Sequence, residues 1–216
     1  MFYKVIKRIF DFICALIGII GTSPLWIVGI IGILISDWGP AHRIGKNNKP
    51  FKMYKFRSMR VVKAATEASL RPDEDRIFPF GHFIRKVKID ELPQLVNILN
   101  GTMSIIGPRP VAQDQFDMFR YGKWNEAAKV PVGLSGPAAL YDFIYGDQIT
   151  DEKEYMEKVY PTRRELEYTY VQKASIFYDL KMIVYTVICI LYAVYGKECT
   201  WMLSEFVEGA KKTMNK

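Results

Sequence analysis

Residues 89–101 of the chain read IDELPQLVNILNG. Apolar side chains recur in this stretch at three- and four-residue steps, which predicts a helix with one buried face. The residues of that face are Leu92, Leu95, Val96 and Leu99. Pro93 suits only the first turn of a helix, where its missing N–H is not needed, and helices commonly end at a glycine such as Gly101. Asp90 and Glu91 are therefore predicted at a helix N-terminus, where free N–H groups favour negative charge.

These two carboxylates are flanked by cations. Arg85, Lys86 and Lys88 come before them, and the rigid turn 107–110, of sequence GPRP, presents Arg109 after them. An isolated Asp-Glu pair at such a position would be interpreted as ordinary helix capping. Carboxylates crowded by cations suggest instead a place where phosphate and a divalent metal ion meet.

The composition narrows the classes of partner and of metal ion. The chain has 216 residues, 50% of them hydrophobic, a mean hydropathy near zero and a formal net charge of +7. The positive charge suggests an anionic partner, either nucleic acid, anionic lipid or a phosphorylated substrate. With only two histidines a His-rich zinc site is excluded, so oxygen atoms would hold a metal ion such as Mg²⁺ or Mn²⁺. The three cysteines lack a CxxC spacing, which is typical of reduced thiols in a protein that faces the cytosol.

The apolar run 12–35 carries no charged residue and is long enough for a membrane helix, which needs about 20 residues. It is too long for the apolar part of a signal peptide, and no small-x-small cleavage site follows it. Ser23 and Pro24 lie in its middle. Proline removes a backbone hydrogen bond, and the Ser23 hydroxyl can return one to the freed carbonyl. The sequence therefore predicts a membrane helix that is broken or bent at this point.

Basic residues on both sides of this run bear on its orientation, because positive charge tends to stay on the cytoplasmic side. They are Lys4, Lys7, Arg8, His42, Arg43, Lys46 and Lys49. We therefore expect residues 1–36 to form a re-entrant helix that enters the membrane, breaks and returns to the same face. A bent helix that spans the membrane is the alternative that the sequence leaves open. Lys7, Arg8 and Asp11 are expected to anchor this helix to lipid headgroups and to the rest of the protein.

Residues 37–181 are predicted to form a small, helix-rich cytoplasmic domain with a short β-hairpin, which makes the fold class α+β. Residues 51–57, FKMYKFR, follow a glycine-containing turn and alternate between apolar and basic, as a half-buried strand does. The alternation places on the accessible face either Lys52 or Lys55 with Arg57. Attraction to anionic headgroups explains some of these cations, and phosphate binding is the functional interpretation of Lys55 and Arg57.

The secondary structure of the segments before and after residues 89–101 is predicted from their sequence pattern alone. The polar segment 61–76 is interpreted as a surface helix or loop and is a candidate lid. Residues 112–128 are predicted to be helical, and 130–138 to form a loop because they contain two prolines and two glycines. Residues 151–172 are predicted to form a helix that is interrupted at Pro161.

A second apolar run covers residues 182–195, bounded by lysines. At about 14 residues it is too short to span a membrane comfortably, and its tyrosines are typical of a bilayer surface. We therefore predict an interfacial amphipathic helix and tail over 182–216, with a buried core helix as the alternative. Just before this run, Asp179 is expected either to support the site from behind or to cap the helix.

Six motifs occur in order along the chain. They are Lys7-Arg8-x-x-Asp11, the apolar run with Ser23-Pro24, residues 49–59 (KPFKMYKFRSM), Asp90-Glu91-Leu92-Pro93-Gln94, residues 103–110 (MSIIGPRP) and Asp179-Leu180-Lys181. Together they make the chain resemble the bacterial sugar transferase family, the monotopic phosphoglycosyl transferases. The resemblance runs from about Lys7 to about Lys181, and the chain looks like the small, single-domain branch.

The resemblance implies a reaction and a place for it. Such an enzyme moves a sugar-1-phosphate from a UDP-sugar to polyprenol phosphate, typically undecaprenyl phosphate, and releases UMP. It does so at the cytoplasmic face of the bacterial inner membrane, as the first membrane step of glycoconjugate assembly. The family's Asp-Glu dyad maps onto Asp90 as nucleophile and Glu91 as ligand of Mg²⁺, which implies a phosphosugar-aspartyl intermediate and ping-pong kinetics. Nucleic acid is not an expected partner, and association into a homodimer is left open.

The cations around the dyad are assigned to phosphate binding. Neutralising a diphosphate before a carboxylate attacks it requires positive charge, which we assign to Lys55, Arg57, Arg85 and Arg109 together with Mg²⁺. The alternative function is a membrane-anchored basic protein that binds anionic lipid or nucleic acid without catalysis. That alternative explains the charge and the apolar run but gives no reason for Asp90 and Glu91 among cations.

The chain departs from the family's pattern in three places. Ala41 and His42 stand where a longer aromatic-basic segment is expected, and Thr102 stands where aspartate is common. Residues 133–139, GLSGPAA, replace a loop that usually carries Trp-Gln. None of these departures touches the dyad, but because of them no residue is assigned to the sugar.

Overall fold

The computed structural model describes residues 2–27, 41–59 and 76–214. Within these residues the protein is mostly helical, with two small sheets, which confirms the helix-rich α+β prediction. The helices are α1 (Phe2–Gly21), α2 (Pro79–Lys86), α3 (Gln94–Leu99), α4 (Phe116–Phe119), α5 (Pro137–Ile144), α6 (Glu152–Lys158), α7 (Tyr160–Lys173), α8 (Ile176–Val194) and α9 (Leu203–Met214). The strands are β1 (Ala41–Ile44), β2 (Pro50–Met53), β3 (Ser104–Ile106) and β4 (Gly133–Ser135).

Helix α1 ends where the sequence predicts a break. Thr22 forms a turn, and the chain is helical again over 23–27. The Thr22 hydroxyl donates to the Gly18 carbonyl at 2.6 Å, which also accepts from the Thr22 N–H, while Ser23, whose hydroxyl was predicted to bond a freed carbonyl, is exposed. Such a second bond, from a threonine hydroxyl to the carbonyl four residues earlier, is often found where a helix bends. The returning half of the predicted re-entrant helix lies outside the described residues.

The two sheets differ in how far apart their strands lie in the sequence. Strands β1 and β2 form the predicted antiparallel hairpin, with His42 opposite Lys52. Strands β3 and β4 pair in parallel across a long connection, with Ser104 opposite Gly133. The prediction of a loop over 130–138 is therefore wrong, because Gly133–Ser135 is a strand. Pro131 and Pro137 lie outside this three-residue strand, so they do not interrupt its hydrogen bonds to β3.

The main core lies between the C-terminal helices. Helix α7 packs against α5 and α9, and α8 packs against α5 and the parallel strand pair. The side chains at the centre of this core are Tyr155, Leu166, Tyr170, Met182 and Met202, each at most 1% exposed. A smaller core joins α1, α3 and the hairpin and contains Ala15, Met53, Leu95, Ile98 and Met103. This smaller core positions the segment that contains Asp90.

Helix α8 is longer than predicted. It has 19 residues, whereas the apolar run suggested about 14, and the boundary drawn at 181 falls inside it. Among the described helices α8 alone is long and apolar enough to cross a membrane, by length and composition. Lys181, the lysine before the apolar run, lies inside this helix, and Asp179 lies in its first turn and is fully buried.

Several local predictions need correction. In the central helix the pattern placed Val96 on the buried face, but Val96 is exposed while Asn97 and Ile98 are buried. The predicted helix over 112–128 is broken into two 3₁₀ segments and the single-turn helix α4. The predicted break near Pro161 is observed at Val159, and Pro161 lies in the first turn of α7, where proline is tolerated. Most of the candidate lid 61–76, namely residues 61–75, lies outside the described residues.

Candidate active site

Asp90 lies in a 3₁₀ turn, Ile89–Glu91, directly before α3. Its carboxylate is almost completely buried, and Oδ2 is 2.9 Å from the Lys55 ammonium. The same ammonium is 3.6 Å from Glu91 Oε1, so one lysine serves both carboxylates. The backbone N–H of Phe56 donates to the Asp90 carbonyl at 2.9 Å, which ties the extended segment after β2 to this turn. Asp90 Oδ1 has no hydrogen-bond partner among the described atoms.

Asn97 holds this arrangement in register. Its side-chain amide donates to the Lys52 carbonyl at 2.8 Å and accepts from the Tyr54 N–H at 2.9 Å. Because it clamps the residues just before Lys55, it fixes where the Lys55 side chain starts. The sequence reasoning missed Asn97. The available signal was a polar residue on a helix face that must be buried, where its amide needs partners.

Electrostatic forces at Glu91 favour its charged form. Burial alone would raise its pKa, but nearby cations, foremost Lys55, more than offset this and lower the pKa to about 2. The other two cations are Lys88 and Arg109. Glu91 is therefore a carboxylate throughout the physiological pH range.

The predicted cations occupy different positions relative to the dyad. Arg109 lines a cavity that Glu91 also lines. Arg85, on α2, donates to Ser58 Oγ at 3.4 Å and so supports the segment that carries Lys55. Arg57 is half-buried in that same segment. Of the four predicted phosphate-binding residues, Lys55 and Arg109 are thus the ones that the structure brings to the dyad.

The N-terminal helix is fastened to the domain by its charged residues. Arg8 donates to the carbonyls of Ile98 and Leu99 at the end of α3, at 2.5 and 2.6 Å. The last carbonyls of a helix lack i+4 partners; that of Ile98 also accepts from the Gly101 N–H at 3.1 Å, and the guanidinium adds a positive cap to this end of α3. Asp11 accepts from Ser104 Oγ at 2.7 Å and from the Ile105 N–H.

Asp179 connects α8 to α1. It accepts hydrogen bonds from Lys7 at 2.7 Å, and from Tyr3 and Tyr170 at 2.9 Å. The cap of α8 is Ser175, whose side chain accepts from Tyr178, so Asp179 is a bridge rather than a cap. Lys7 and Asp179 are both buried, and each would be costly to bury without the other. Ser23 and Pro24, by contrast, are exposed at the break and lie outside this network.

The dyad suits a magnesium ion shared with a substrate. Among the described residues no group of three or more possible metal ligands is found, so the protein does not supply a complete cage there. Mg²⁺ is commonly held by one or two carboxylates together with substrate phosphates. Glu91 is ionised beside the buried Asp90, so its carboxylate matches that mode of binding.

Comparisons with known proteins agree on one family. A model of the family described as bacterial sugar transferase matches residues 2–193. The UDP-glucose:undecaprenyl-phosphate glucose-1-phosphate transferase of Escherichia coli (strain K12) is 33% identical over 193 residues, which cover 85% of this chain and 40% of that protein. The uncharacterized sugar transferase EpsL of Bacillus subtilis (strain 168) is 34% identical over 187 residues, 85% of this chain and 86% of the relative.

A third relative has a different sugar in its name. The UDP-N-acetylgalactosamine-undecaprenyl-phosphate N-acetylgalactosaminephosphotransferase of Aeromonas hydrophila is 35% identical over 205 residues, 88% of this chain and 44% of the relative. The chain thus spans less than half of the Escherichia coli and Aeromonas proteins and most of the Bacillus protein.

Proposed function

The chain belongs to the bacterial sugar transferase family, and from this premise we propose that it transfers a sugar-1-phosphate from a UDP-sugar to undecaprenyl phosphate and releases UMP. Two of its relatives are named for undecaprenyl phosphate and for a UDP-sugar, which supports both substrate classes. One of those names specifies glucose and the other N-acetylgalactosamine, so the donor's sugar is not assigned.

Asp90 is the observation that carries the proposal. One of its oxygens is held by Lys55, while the other is buried without a hydrogen bond. A buried polar atom without a partner is costly, and a substrate or a reaction at this position would complete it. A free oxygen on a carboxylate that its neighbour holds in place is what a nucleophile requires.

The proposed transfer takes place in two displacements. An Asp90 oxygen attacks the phosphorus that bears the sugar; the P–O bond to the other phosphate breaks, and UMP leaves with the bridging oxygen. A phosphate oxygen of the lipid then attacks the same phosphorus, and the Asp90 carboxylate is released. Splitting the transfer in this way lets one site serve both substrates in turn, which predicts ping-pong kinetics.

Around this aspartate, each charged residue has a separate task. Lys55 orients Asp90, and Arg109 compensates the charge of the diphosphate. Glu91 would hold Mg²⁺, which would supply further neutralisation of the diphosphate. Because Glu91 stays ionised far below neutral pH, this ligand is available at any pH at which the enzyme is assayed.

We also propose that the reaction takes place at the cytoplasmic face of the inner membrane. The donor is water-soluble and the acceptor is a lipid, so the site must lie close to the headgroup plane. Support comes from α8, which is apolar enough to enter a bilayer, and from α1, whose outward side chains are apolar.

The test is UMP release from UDP-sugars in the presence of undecaprenyl phosphate and Mg²⁺. Asp90→Asn keeps the shape of the side chain and removes the nucleophile, so turnover is expected to fall by about 1,000-fold or more. Asp117→Asn, at an exposed position of α4, is the matched control and should keep full activity. Undiminished turnover in Asp90→Asn would exclude Asp90 as the nucleophile.

A further inference from the structure

A cavity of about 300 Å³ lies between the break after α1, helix α5 and helix α8. This volume is at the lower end of the range typical of ligand pockets, so it accommodates part of a long molecule. Most of its wall is apolar, and the residues that form this part include Leu25, Leu92, Ile105, Phe143, Ile183 and Ile190. Lys88, Glu91 and Arg109 supply charge at the same cavity, which is therefore apolar along most of its wall and charged beside the dyad.

Lys88 adopts an unusual backbone conformation, with φ 58° and ψ 20°. This left-handed region costs a residue with a β-carbon about 1–2 kcal/mol and is seen most often where function requires it. The Lys88 N–H donates to the Arg85 carbonyl, and its own carbonyl accepts from the Glu91 N–H. Its ammonium lies 4.6 Å from the centre of the Phe143 ring, which holds the charge against the cavity by a cation–π contact.

The charges around this cavity do not balance within the protein. Lys55 already pairs with both carboxylates of the dyad. Asp142 is a further buried acid, and Arg109 and Lys88 help to lower its pKa. Its carboxylate is paired with Arg163 at 3.4 Å. Lys88 and Arg109 lie near enough to Glu91 to lower its pKa, but among the described residues neither of them forms a direct ion pair, so both cations beside this apolar cavity can still pair with an anion.

We propose that Lys88 binds the phosphate of the acceptor lipid while the first part of its hydrocarbon chain lies in the cavity. This inference rests on the proposed function, which supplies the acceptor. An ammonium beside walls of leucine and isoleucine matches a phosphate joined directly to a hydrocarbon chain. A UDP-sugar matches it poorly, because the groups on both sides of its diphosphate are polar. Lys88 is two residues from Asp90, and Glu91, the sequence neighbour of that nucleophile, lines the same cavity.

Two variants of Lys88 test the binding of the phosphate. Lys88→Asn removes the charge, and asparagine tolerates the left-handed conformation, so the turn should persist. At pH 8, kcat/KM for undecaprenyl phosphate should fall at least tenfold, while kcat/KM for the UDP-sugar should change less than twofold. Lys88→Arg should restore most of the acceptor kcat/KM. Lys86→Asn, at the exposed end of α2, is the control and should change neither value.

A third variant tests the placement of the chain. Ala139→Leu, on α5, fills part of the cavity and should also lower kcat/KM for the lipid selectively. Ala193→Leu, on α8 outside the cavity, should not. Equal losses for both substrates, or no loss for the lipid in either Lys88→Asn or Ala139→Leu, would overturn the inference. Failure of the proposed function would look different, because then the unmodified protein would form no lipid-linked sugar from any UDP-sugar.

Discussion

At the scale of single residues, the site depends on one ammonium shared between two neighbouring carboxylates. Two buried negative charges side by side would repel, and one of them would take up a proton unless cations were close. Lys55 removes that repulsion by reaching both Asp90 and Glu91. The outcome is an aspartate held by Lys55 through one oxygen while the other oxygen is available for reaction.

The pKa of Glu91 leads to a prediction about stability and pH. Its folded pKa of about 2 is below the ordinary value of 4.5, so its charge stabilises the fold fully above pH 4.5. That stabilisation is lost as the pH falls towards 2. Glu91→Gln should therefore lower the free energy of unfolding at pH 7 by roughly 2–3 kcal/mol, and the difference should shrink between pH 4.5 and pH 2.

Thermal unfolding in detergent, followed by tryptophan fluorescence, measures this difference in Tm. Glu208→Gln, at an exposed position of α9, is the matched control and should follow the unmodified protein at every pH. A Tm difference for Glu91→Gln that does not change with pH would contradict the assigned pKa.

At the scale of elements, the parallel pair β3–β4 brings the Gly-Pro-Arg-Pro turn to the dyad. This pairing requires two backbones to lie unusually close. A β-carbon on Gly133 would be 2.1 Å from the Gly107 nitrogen and 2.5 Å from the Ser135 carbonyl oxygen. Both are backbone atoms, which cannot move aside without separating the strands. Glycine is therefore required here by space rather than by its dihedral freedom.

This contact predicts opposite effects of the same substitution at two glycines. Gly133→Ala should destabilise the protein by about 3 kcal/mol or prevent it from folding, because the added methyl group overlaps backbone atoms. Gly209→Ala lies in α9 with open space around the β-carbon and should stabilise the helix by up to about 1 kcal/mol. Expression level and Tm measure both variants. Equal stability of the two would contradict the close approach of β3 and β4.

How much of this could be predicted from the sequence depended on how local each signal was. The turn with Asp90 is signalled by Pro93 two residues after Glu91, and the hairpin by alternation within seven residues. Strand β4 is three residues long and pairs with β3 about thirty positions earlier, so nothing near it identifies it as a strand. Its register depends on glycine packing that only the folded chain reveals.

The roles of two charged residues depend on contacts that are remote in sequence. Asp179 was expected to support the site or to cap its helix, but Lys7, at the other end of the chain, pairs with it inside the core. Lys88 looked like one cation among several, and its left-handed backbone conformation is not one that lysine favours on its own. Both assignments needed the tertiary structure, because neither conformation nor partner is encoded nearby.

At the scale of the whole molecule, two apolar faces point outward. On α1 the exposed residues recur at three- and four-residue steps, while the opposite face contacts the domain. They are Val5, Ile9, Ile13, Ile17 and Ile20, each at least 50% exposed. Helix α8 has a similar stripe that contains Leu180, Val184, Val187, Leu191 and Val194. Apolar stripes of this size are typical of membrane contact, which agrees with a lipid acceptor.

Charges placed on the α8 stripe should weaken binding to membranes. Val184→Glu combined with Leu191→Glu is expected to reduce partitioning into vesicles that contain anionic lipid by at least about tenfold. Flotation of the purified protein with such vesicles measures the bound fraction. Met214→Glu, an equally exposed apolar position at the end of α9, is the control. Unchanged flotation of the double variant would contradict membrane contact through this stripe.

The central claim is that Asp90 receives the sugar phosphate, and mass spectrometry of the peptide that contains it tests this most directly. The protein is incubated with UDP-sugar and Mg²⁺ without lipid acceptor, stopped with acid and digested. The peptide should gain the mass of one sugar phosphate, lose it when undecaprenyl phosphate is added before the stop, and show no gain in Asp90→Asn. If active protein releases UMP and forms lipid-linked sugar, but this peptide never gains that mass, the sugar phosphate does not pass through Asp90.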